Sequence, residues 1–154
     1  MCSIYFRRTG SNPFETTHII ATELNCTRVD FVTYSYPDIG IKHGERSRRS
    51  AVGVQLLKIA RENQPIHKQW KKFSALGVNK EAIITFLHQI WTSLPAELYK
   101  NIIFFITHQK KCCSINNDAG NLNICDITDL HCDHEEADSG MLLHASHASK
   151  HTRV

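Results

Sequence analysis

The pattern of apolar residues predicts two β-strands that lie far apart in the chain. Residues 28–34, RVDFVTY, are rich in β-branched and aromatic side chains, as strands are. Residues 101–107, NIIFFIT, form a short continuous apolar run, which is typical of a strand buried on both faces of a sheet. Clusters of turn-forming residues at 36–40 and 116–121 follow these runs, and they predict turns.

Apolar residues at helical spacing predict helices between and after these strands. The clearest helix lies over 80–94, with Asn79 as its N-cap. A final helix is predicted from Glu135 to about Ser149, with an apolar face formed by Ala137, Met141, Leu142 and Ala145. Weaker patterns predict helical segments within 14–24, 41–60 and 68–76. The alternation of strands and helices predicts an α/β domain in which helices flank a mostly parallel sheet.

Composition and charge narrow the class of protein. With 154 residues, of which 42% are hydrophobic and 21% charged, the chain has the size and core content of one globular domain. We assign that domain to 14–154, after a flexible start at 1–13. The net charge of +3 permits a phosphate-bearing partner such as DNA or RNA without requiring one.

The chain shows neither a membrane span nor a secretory signal in its sequence. Its longest apolar run, Ile102 to Ile106, is far too short to cross a bilayer, and the first eight residues carry two arginines and no apolar core. We therefore expect an intracellular protein, nuclear or cytoplasmic, with no membrane partner. In such a compartment the six cysteines are expected to be free thiols. The sequence does not indicate an oligomeric state.

A basic cluster could carry phosphate binding. Lys42, Arg46 and Arg49 are spaced so that a helix would place all three on one face, and Arg48 flanks them. Cations on such a face can neutralise the phosphates of a nucleic acid and release its counterions. On composition alone, a solvated helix face with Glu45 as a local counterion is the more frequent explanation of such a run.

An acidic cluster follows at the start of the predicted final helix. Four carboxylates lie within 133–138: Asp133, Glu135, Glu136 and Asp138. A helix dipole favours acids at this end, which accounts for the cluster without any ligand. A divalent cation would relieve the repulsion among them, and Mg²⁺ or Mn²⁺ takes oxygen ligands of this kind. Glu136 and Asp138 are the candidate catalytic acids, and Glu135, Glu136 and Asp138 are the candidate metal ligands.

Histidines and cysteines near the C-terminus offer a second kind of metal site. His144, His147 and His151 recur at helical spacing. A second candidate zinc site consists of Cys125, His131, Cys132 and His134, but the spacing of these residues fits zinc motifs poorly. Neither set has the closed spacing of a zinc motif, so surface histidines and buried thiols are the favoured explanation and zinc is not expected.

Three segments of the chain resemble a family of animal proteins, often tied to mobile-element expansions, that has a flap-endonuclease-like (PIN-like) nuclease domain. The first runs from 28 to 49, as a strand, a turn and the basic helix. The second, from 65 to 87, resembles the family's P-x-x-W-x-x-F stretch with a following N-K and F-L. The third, HEEAD at 134–138 with MLLHA and HAS, is similar to a family motif of the form HEEADT-x-x-LLHA-x-HA. Together they cover most of 25–151.

The resemblance implies a phosphodiesterase in which strand-end acids hold Mg²⁺ or Mn²⁺ and a basic helix binds the phosphate. By motif position, Glu136 and Asp138 match the metal-binding acids, with Glu135 a neighbour, and the basic cluster matches the phosphate-binding helix. Two departures affect this chemistry. Tyr34 stands where the family has a metal-binding Asp, and Ser139 replaces a Thr. The chain also stops at Val154, before the family's next acid-bearing strand, so an incomplete domain is expected.

We therefore expect a degenerate or truncated nuclease-like domain, without catalytic activity as written, that retains some affinity for nucleic-acid phosphates. Two alternatives remain open. One is an active phosphodiesterase whose acid set is completed by Asp30, Asp38 or a partner subunit. The other is a non-catalytic interaction or zinc-binding module that uses the histidines and cysteines of 112–151.

Overall fold

A computed structural model describes residues 23, 25–33, 76–133 and 137–151 of the chain. These residues form four strands, two α-helices and two short 3₁₀ helices. In chain order they are β1 (Arg28–Phe31), α1 (Gly77–Trp91), a 3₁₀ helix (Ala96–Tyr99), β2 (Ile103–His108), β3 (Lys111–Asp118), β4 (Asn121–Asp126), a second 3₁₀ helix (Thr128–Leu130) and α2 (Ala137–His151). Apart from Glu23 and Leu76, the predicted helices within 14–24, 41–60 and 68–76 lie outside the described residues. The predicted turn at 36–40 and the flexible start at 1–13 also lie outside them.

The four strands form one mixed sheet in the order β1-β2-β3-β4. β1 runs parallel to β2, whereas β2 with β3 and β3 with β4 are antiparallel. The domain is α/β as predicted, but the prediction of a mostly parallel sheet is wrong. The reason is local: β2, β3 and β4 follow one another through two-residue turns, and such short connections can only join antiparallel strands.

The strands that the apolar pattern predicted are present. β2 occupies most of the predicted 101–107 and is buried over four consecutive residues, so the prediction of burial on both faces is confirmed. β1 is shorter than the predicted 28–34. β3 and β4 were not predicted, because their sequences KCCSINND and NLNICD contain residues that are depleted in strands. Most of the predicted turn at 116–121 belongs to these strands, and only Ala119 and Gly120 form the turn, both at positive φ.

Helix α1 confirms the predicted periodicity but begins earlier than predicted. It starts at Gly77, after Leu76, which makes no side-chain cap hydrogen bond. The Lys80 amide donates to the Leu76 carbonyl at 3.2 Å, so the first turn closes ahead of the predicted start. Asn79 therefore lies inside the helix, buried, and the prediction that it caps the helix is wrong. The helix ends at Trp91, where Thr92 Oγ1 donates to the His88 carbonyl at 2.8 Å.

Among the described residues, one helix packs on each face of the sheet. Successive residues of a strand point to opposite faces, and Phe104 and Ile106 of β2 pack in a cluster with Leu87 and Trp91 of α1. Trp91 is the centre of this cluster, because its ring meets those of Phe31 and Phe104 edge-on at 4.7 and 5.1 Å between centroids. On the other face, Phe105 packs with Cys112 and Leu130, and Leu143 of α2 contacts this second cluster. None of the described helices is long and apolar enough to cross a bilayer.

Candidate functional site

Of the acids predicted to bind Mg²⁺ or Mn²⁺ and the basic residues predicted to bind phosphate, the structure describes one. Asp138 lies in the first turn of α2 and is exposed. The rest of the acidic and basic candidates lie outside the described residues: Glu135, Glu136, Lys42, Arg46, Arg48 and Arg49. Asp38 and Tyr34 also lie outside them. The arrangement of the predicted metal site and of the basic helix therefore stays a prediction.

Helix α2 confirms the final predicted helix but turns a different face toward the sheet. Ala137 is buried as predicted, but Met141 and Leu142 are exposed by 41% and 74% of their surface. The buried positions are Ala137, Gly140 and His144, which recur at three- and four-residue spacing. The predicted apolar face is therefore wrong for Met141 and Leu142, its two largest side chains. A histidine occupies the centre of the buried face instead.

Gly140 allows α2 to approach the sheet closely. A Cβ atom at this position would lie 2.8 Å from Cγ1 of Val32, which immediately follows β1. That separation is shorter than a carbon–carbon van der Waals contact of about 3.5 Å. The first turns of α2 therefore pack directly against the carboxyl end of β1, and this contact brings Asp138 to the same end of the sheet.

Asp30 of β1 is held by two partners on the α2 face of the sheet. Arg28 binds it through both branches, with Nε donating to Oδ2 and Nη2 to Oδ1, each at 2.8 Å. Nδ1 of His144 lies 2.6 Å from the same Oδ1. Burial acts to raise the pKa of the Asp30 carboxyl, but the hydrogen bonds and charges of Arg28 and His144 outweigh it and lower the pKa below its ordinary value. Asp30 is thus a carboxylate at neutral pH.

Arg28 makes two further contacts that close the group. Its Nη1 lies 3.0 Å from Nδ1 of His147, and its guanidinium carbon lies 3.9 Å from the centroid of the Phe105 ring. A cation over an aromatic face is attracted by the ring's quadrupole. We call Arg28, Asp30, His144 and His147 the ionic cluster. It joins β1 to α2 across 114 residues of sequence and lies over β2.

His144 has one ring nitrogen left over. Because an ionised carboxylate only accepts hydrogen bonds, Nδ1 carries the proton that it shares with Asp30. The second nitrogen, Nε2, is buried and has no hydrogen-bond partner in the described part of the chain. A buried polar atom without a partner costs about 1–3 kcal/mol, so such an atom in a folded protein calls for an explanation.

A small pocket adjoins His144 at the carboxyl ends of the two parallel strands. Its volume is about 20 Å³, and its polar lining consists of Thr33, Thr107, Gln109, Lys110, Lys111 and His144. The two threonines are joined at the ends of the strands. Thr107 Oγ1 accepts a hydrogen bond from the Thr33 amide at 2.9 Å and donates one to the Phe31 carbonyl at 3.1 Å. We call this space, between the ends of β1 and β2 and the start of α2, the turn pocket.

The walls of the turn pocket come from α2 and from the segment before it. Val32, Leu130, Cys132 and Gly140 complete the lining. The Cys132 amide donates to the Lys110 carbonyl at 3.1 Å, which fixes that segment to the turn between β2 and β3. No carboxylate is among the described residues that line the pocket. The charged residues among the described lining are Lys110 and Lys111.

The histidines and cysteines proposed for zinc are dispersed. His131 pairs with Asp126 at 2.8 Å, Cys125 is exposed, and Cys132 lines the turn pocket. Within 25–33, 76–133 and 137–151 no three His, Cys, Asp or Glu side chains converge as a metal site would require. His134 and the side chain of His151 lie outside the description. All five described cysteines are free thiols, as expected: Cys26, Cys112, Cys113, Cys125 and Cys132.

Sequence reasoning missed most of this site, although two signals were present. Arg28 and Asp30 alternate with Val29 and Phe31, so both charges fall on one face of a buried strand and must meet partners there. The spacing of His144 and His147 indicates a shared helix face, but the favoured explanation, surface histidines, does not predict that His144 is buried against Asp30. Lys110 and Lys111 gave no signal, since the turn that places them was not predicted.

Comparisons with protein-family models, with curated proteins and with solved structures find no match to the chain.

Proposed function

We propose that this chain is a nuclease-like domain that no longer cleaves nucleic acid but binds its phosphate groups. The three sequence motifs described above support the nuclease-like part. Binding is assigned to the basic cluster of Lys42, Arg46, Arg48 and Arg49, whose spacing suits one helix face. The loss of cleavage is assigned to an incomplete set of metal-binding acids, with Tyr34 at a position where the family has an Asp.

The observation that carries the loss of cleavage is the pairing of Asp30. A two-metal site needs carboxylates from several elements, and Asp30 is the acid that the described part of β1 offers. Both of its oxygens are bonded to Arg28, and Oδ1 is also bonded to His144. Separating a buried ion pair costs about 3–5 kcal/mol, because the remaining charge is left without a partner. A metal ion would have to displace a guanidinium that already neutralises this carboxylate.

The placement of α2 is compatible with a remnant of a metal site. Its first turn packs on the carboxyl end of β1 through Gly140 and Val32, and Asp138 is exposed there. Glu135 and Glu136 precede it directly in sequence. Three acids at one helix start can hold a single Mg²⁺ or Mn²⁺ through one or two carboxylates and water. We assign them weak binding of one ion, which is insufficient for two-metal cleavage.

Calorimetric titration with Mg²⁺ and Mn²⁺ tests the acid site, with Glu136→Gln and Asp138→Asn beside the unaltered chain. We expect weak binding that both variants reduce, and no cleavage of single-stranded, duplex or flapped DNA or of RNA. Glu97→Gln, at the opposite end of β2, is the matched control and should bind as the unaltered chain does. Metal-dependent cleavage that Glu136→Gln abolishes would overturn the proposal in favour of an active enzyme completed by other acids or a partner.

Fluorescence anisotropy with labelled oligonucleotides bearing a 5′-hydroxyl tests the basic cluster. Arg46→Ala with Arg49→Ala should weaken binding and make the dependence of log affinity on log salt shallower by about 1–2, since each phosphate contact contributes about 0.9. Lys100→Ala with Lys150→Ala removes the same charge elsewhere and should change the affinity much less. Equal losses in the two double variants would show that only net charge matters, and they would remove the assignment to this helix.

A further inference from the structure

We infer that the outer edge of β4 pairs with the same edge of a second copy of this chain, antiparallel and about a two-fold axis at Ile124. β4 is the last strand of the described sheet, with β3 on one side of it. The phosphate-binding proposal makes no use of this strand. The inference therefore goes beyond the proposed function.

The ladder between β3 and β4 determines which backbone groups of β4 point outward. The two-residue turn at 119–120 closes on Asp118 and Asn121, and the residues that close such a turn form a hydrogen-bonded pair. Hydrogen-bonded pairs alternate with non-bonded pairs along an antiparallel ladder. Every second residue after Asn121 therefore bonds with β3. The Ile127 amide, which donates to the Cys112 carbonyl at 2.8 Å, continues this alternation.

The remaining residues of β4 direct their amides and carbonyls away from β3. These residues are Leu122, Ile124 and Asp126. In the described part of the chain, none of these outward backbone groups makes a hydrogen bond. Each of the three residues thus offers one donor and one acceptor to another extended backbone.

The side chains of β4 are accessible, as expected of an edge strand. Four of its six residues are exposed, whereas β3 beside it has three buried residues. Ile124 is 44% exposed although it lies opposite Ile115, which is fully buried. A strand covered along its outer side would not leave its central apolar residue this exposed.

The edge of β4 lacks the features that usually prevent strand pairing. Natural proteins protect exposed edges with lysines, prolines, bulges or inward-pointing charges. Residues 121–125 include neither a charged residue nor a proline. The register of β4 on β3 is unbroken over 121–126, so no bulge bends the strand away. The edge is therefore open to an added strand, a common mode of protein association.

Self-complementarity selects a second copy of the chain as that strand. With the two-fold axis at Ile124, this residue pairs with its equivalent, and Leu122 of each copy pairs with Asp126 of the other. All outward groups then find partners, in about six hydrogen bonds. No like charges face each other, because each Asp126 lies opposite a leucine. A charged foreign strand would find no opposite charge on 121–125 to select it.

The side chains of the paired strands are compatible on both faces. Ile124 lies on the α1 face, beside Ile115, and the two-fold axis places it next to its equivalent, so apolar surface is buried. On the α2 face, Asn123 of one copy lies opposite Cys125 of the other, and both are uncharged. A standard interface takes about 20–30 residues a side. A strand pair with six residues from each copy therefore predicts a weak, reversible dimer.

Sedimentation equilibrium of the full chain under reducing conditions, over a range of concentrations, measures this association. We expect a reversible equilibrium between monomer and dimer. Ile124→Lys should weaken it at least tenfold, because two like charges would meet at residues about 5.5 Å apart. Ile103→Lys is the matched control: Ile103 is also 44% exposed but lies at the start of β2, on the α2 face. It should change the affinity by no more than about twofold.

Ile124→Pro tests the backbone contact directly. Proline has no amide, and the amide of Ile124 points away from β3, so the ladder with β3 is kept. Each copy loses one donor at the axis, and the association should weaken roughly tenfold. Circular dichroism of the variants checks that they are folded.

Cysteine cross-linking tests the register independently of the affinity. Ile124→Cys with Cys125→Ser should form a disulfide between two copies under mild oxidation, because Cα atoms about 5.5 Å apart can be bridged. Cys125→Ser alone is the first control. Asn121→Cys with Cys125→Ser is the second, since Asn121 would lie about 20 Å from its equivalent along the strands. Neither control should cross-link at this edge.

A chain that stays monomeric at every concentration would overturn the inference. Protection of the Ile124 amide from hydrogen exchange in that monomer would indicate pairing with a segment of the same chain. Free exchange would leave the edge to a strand of another protein. A dimer that Ile124→Lys and Ile103→Lys weaken equally would also overturn the inference, because its interface would then lie elsewhere.

Discussion

The two faces of the sheet are built by different chemistry, although the same strands supply both. On the α1 face, Val29, Phe104 and Ile106 pack against Trp91 in a cluster of apolar side chains. On the α2 face, neighbouring positions of β1 hold Arg28 and Asp30, which bind histidines of α2. The α1 face stabilises the fold through non-directional burial, whereas the α2 face joins its elements through a few directed contacts.

The largest effect is expected from the centre of the α1 face. Trp91 is 1% exposed and contacts the rings of Phe31 and Phe104, so Trp91→Ala should lower the free energy of unfolding by about 3–5 kcal/mol. Chemical denaturation followed by circular dichroism measures this loss. Leu142→Ala is the control: its side chain is 74% exposed, and the loss there should be within about 0.5 kcal/mol. Similar losses for both variants would show that the α1 face is not the main source of stability.

The ionic cluster is expected to contribute less than the α1 face to the net free energy of unfolding. Removing only one of its charged partners should nevertheless destabilise the chain clearly. Asp30→Ala leaves Arg28 beneath α2 without its carboxylate, and we expect a loss of about 3 kcal/mol. The double variant Arg28→Met with Asp30→Leu removes both charges and should recover most of that loss, because it also removes the desolvation cost of the charges. Denaturation curves of the two variants decide the point. A double variant as unstable as Asp30→Ala would mean that the ion pair itself stabilises the fold.

The close approach of α2 at Gly140 gives a smaller effect. Gly140→Ala should destabilise the chain by about 1–3 kcal/mol, because the new methyl group would lie against Cγ1 of Val32, a stiff β-branched side chain. In an exposed helix the same change would instead stabilise by about 1 kcal/mol. Adding Val32→Ala should relieve the contact and reduce the loss. If Gly140→Ala alone raises the midpoint of denaturation, α2 is not pressed against β1 as described.

The apolar contacts of the α1 face could be predicted from the sequence far better than the ionic cluster of the α2 face. The periodicity of α1 and the apolar run of β2 indicate burial directly, because the same residues that fix the element also form the core. β3 and β4 depend on pairing with β2, and their asparagines and cysteines gave no strand pattern. The ionic cluster joins residues 114 positions apart, so only the packing of α2 on β1 could reveal it. A charged pair inside a buried strand was a visible sign that such partners exist.

The smallest expected effect concerns pH, and it compares a histidine pair on the α1 face with Asp30 on the α2 face. On the α1 face, the rings of His88 and His108 stack at 4.9 Å between centroids. Burial lowers the pKa of both, and for His88 the charge of His108 contributes as well. A histidine whose folded pKa is depressed binds fewer protons when folded than when unfolded, so its contribution to stability is present above pH 6.5 and is lost as the pH falls below that value.

On the α2 face, the pKa of Asp30 is lowered for the opposite reason: despite burial, the hydrogen bonds and charges of Arg28 and His144 stabilise its charged form. Asp30 therefore affects stability in a more acidic pH range than the two histidines do. Its contribution to stability is present above about pH 3.8 and is lost only as the pH falls further, through the folded pKa. Between pH 7.5 and 5, His88 and His108 should therefore make the free energy of unfolding decline. His88→Gln with His108→Gln should flatten this decline, and Gln89→Ala, an exposed neutral position on the same helix, should not. Because both histidines are only partly buried, solvent keeps the effect small. An unchanged slope in the double variant would place the acid sensitivity elsewhere, and the two faces would then no longer differ in this respect.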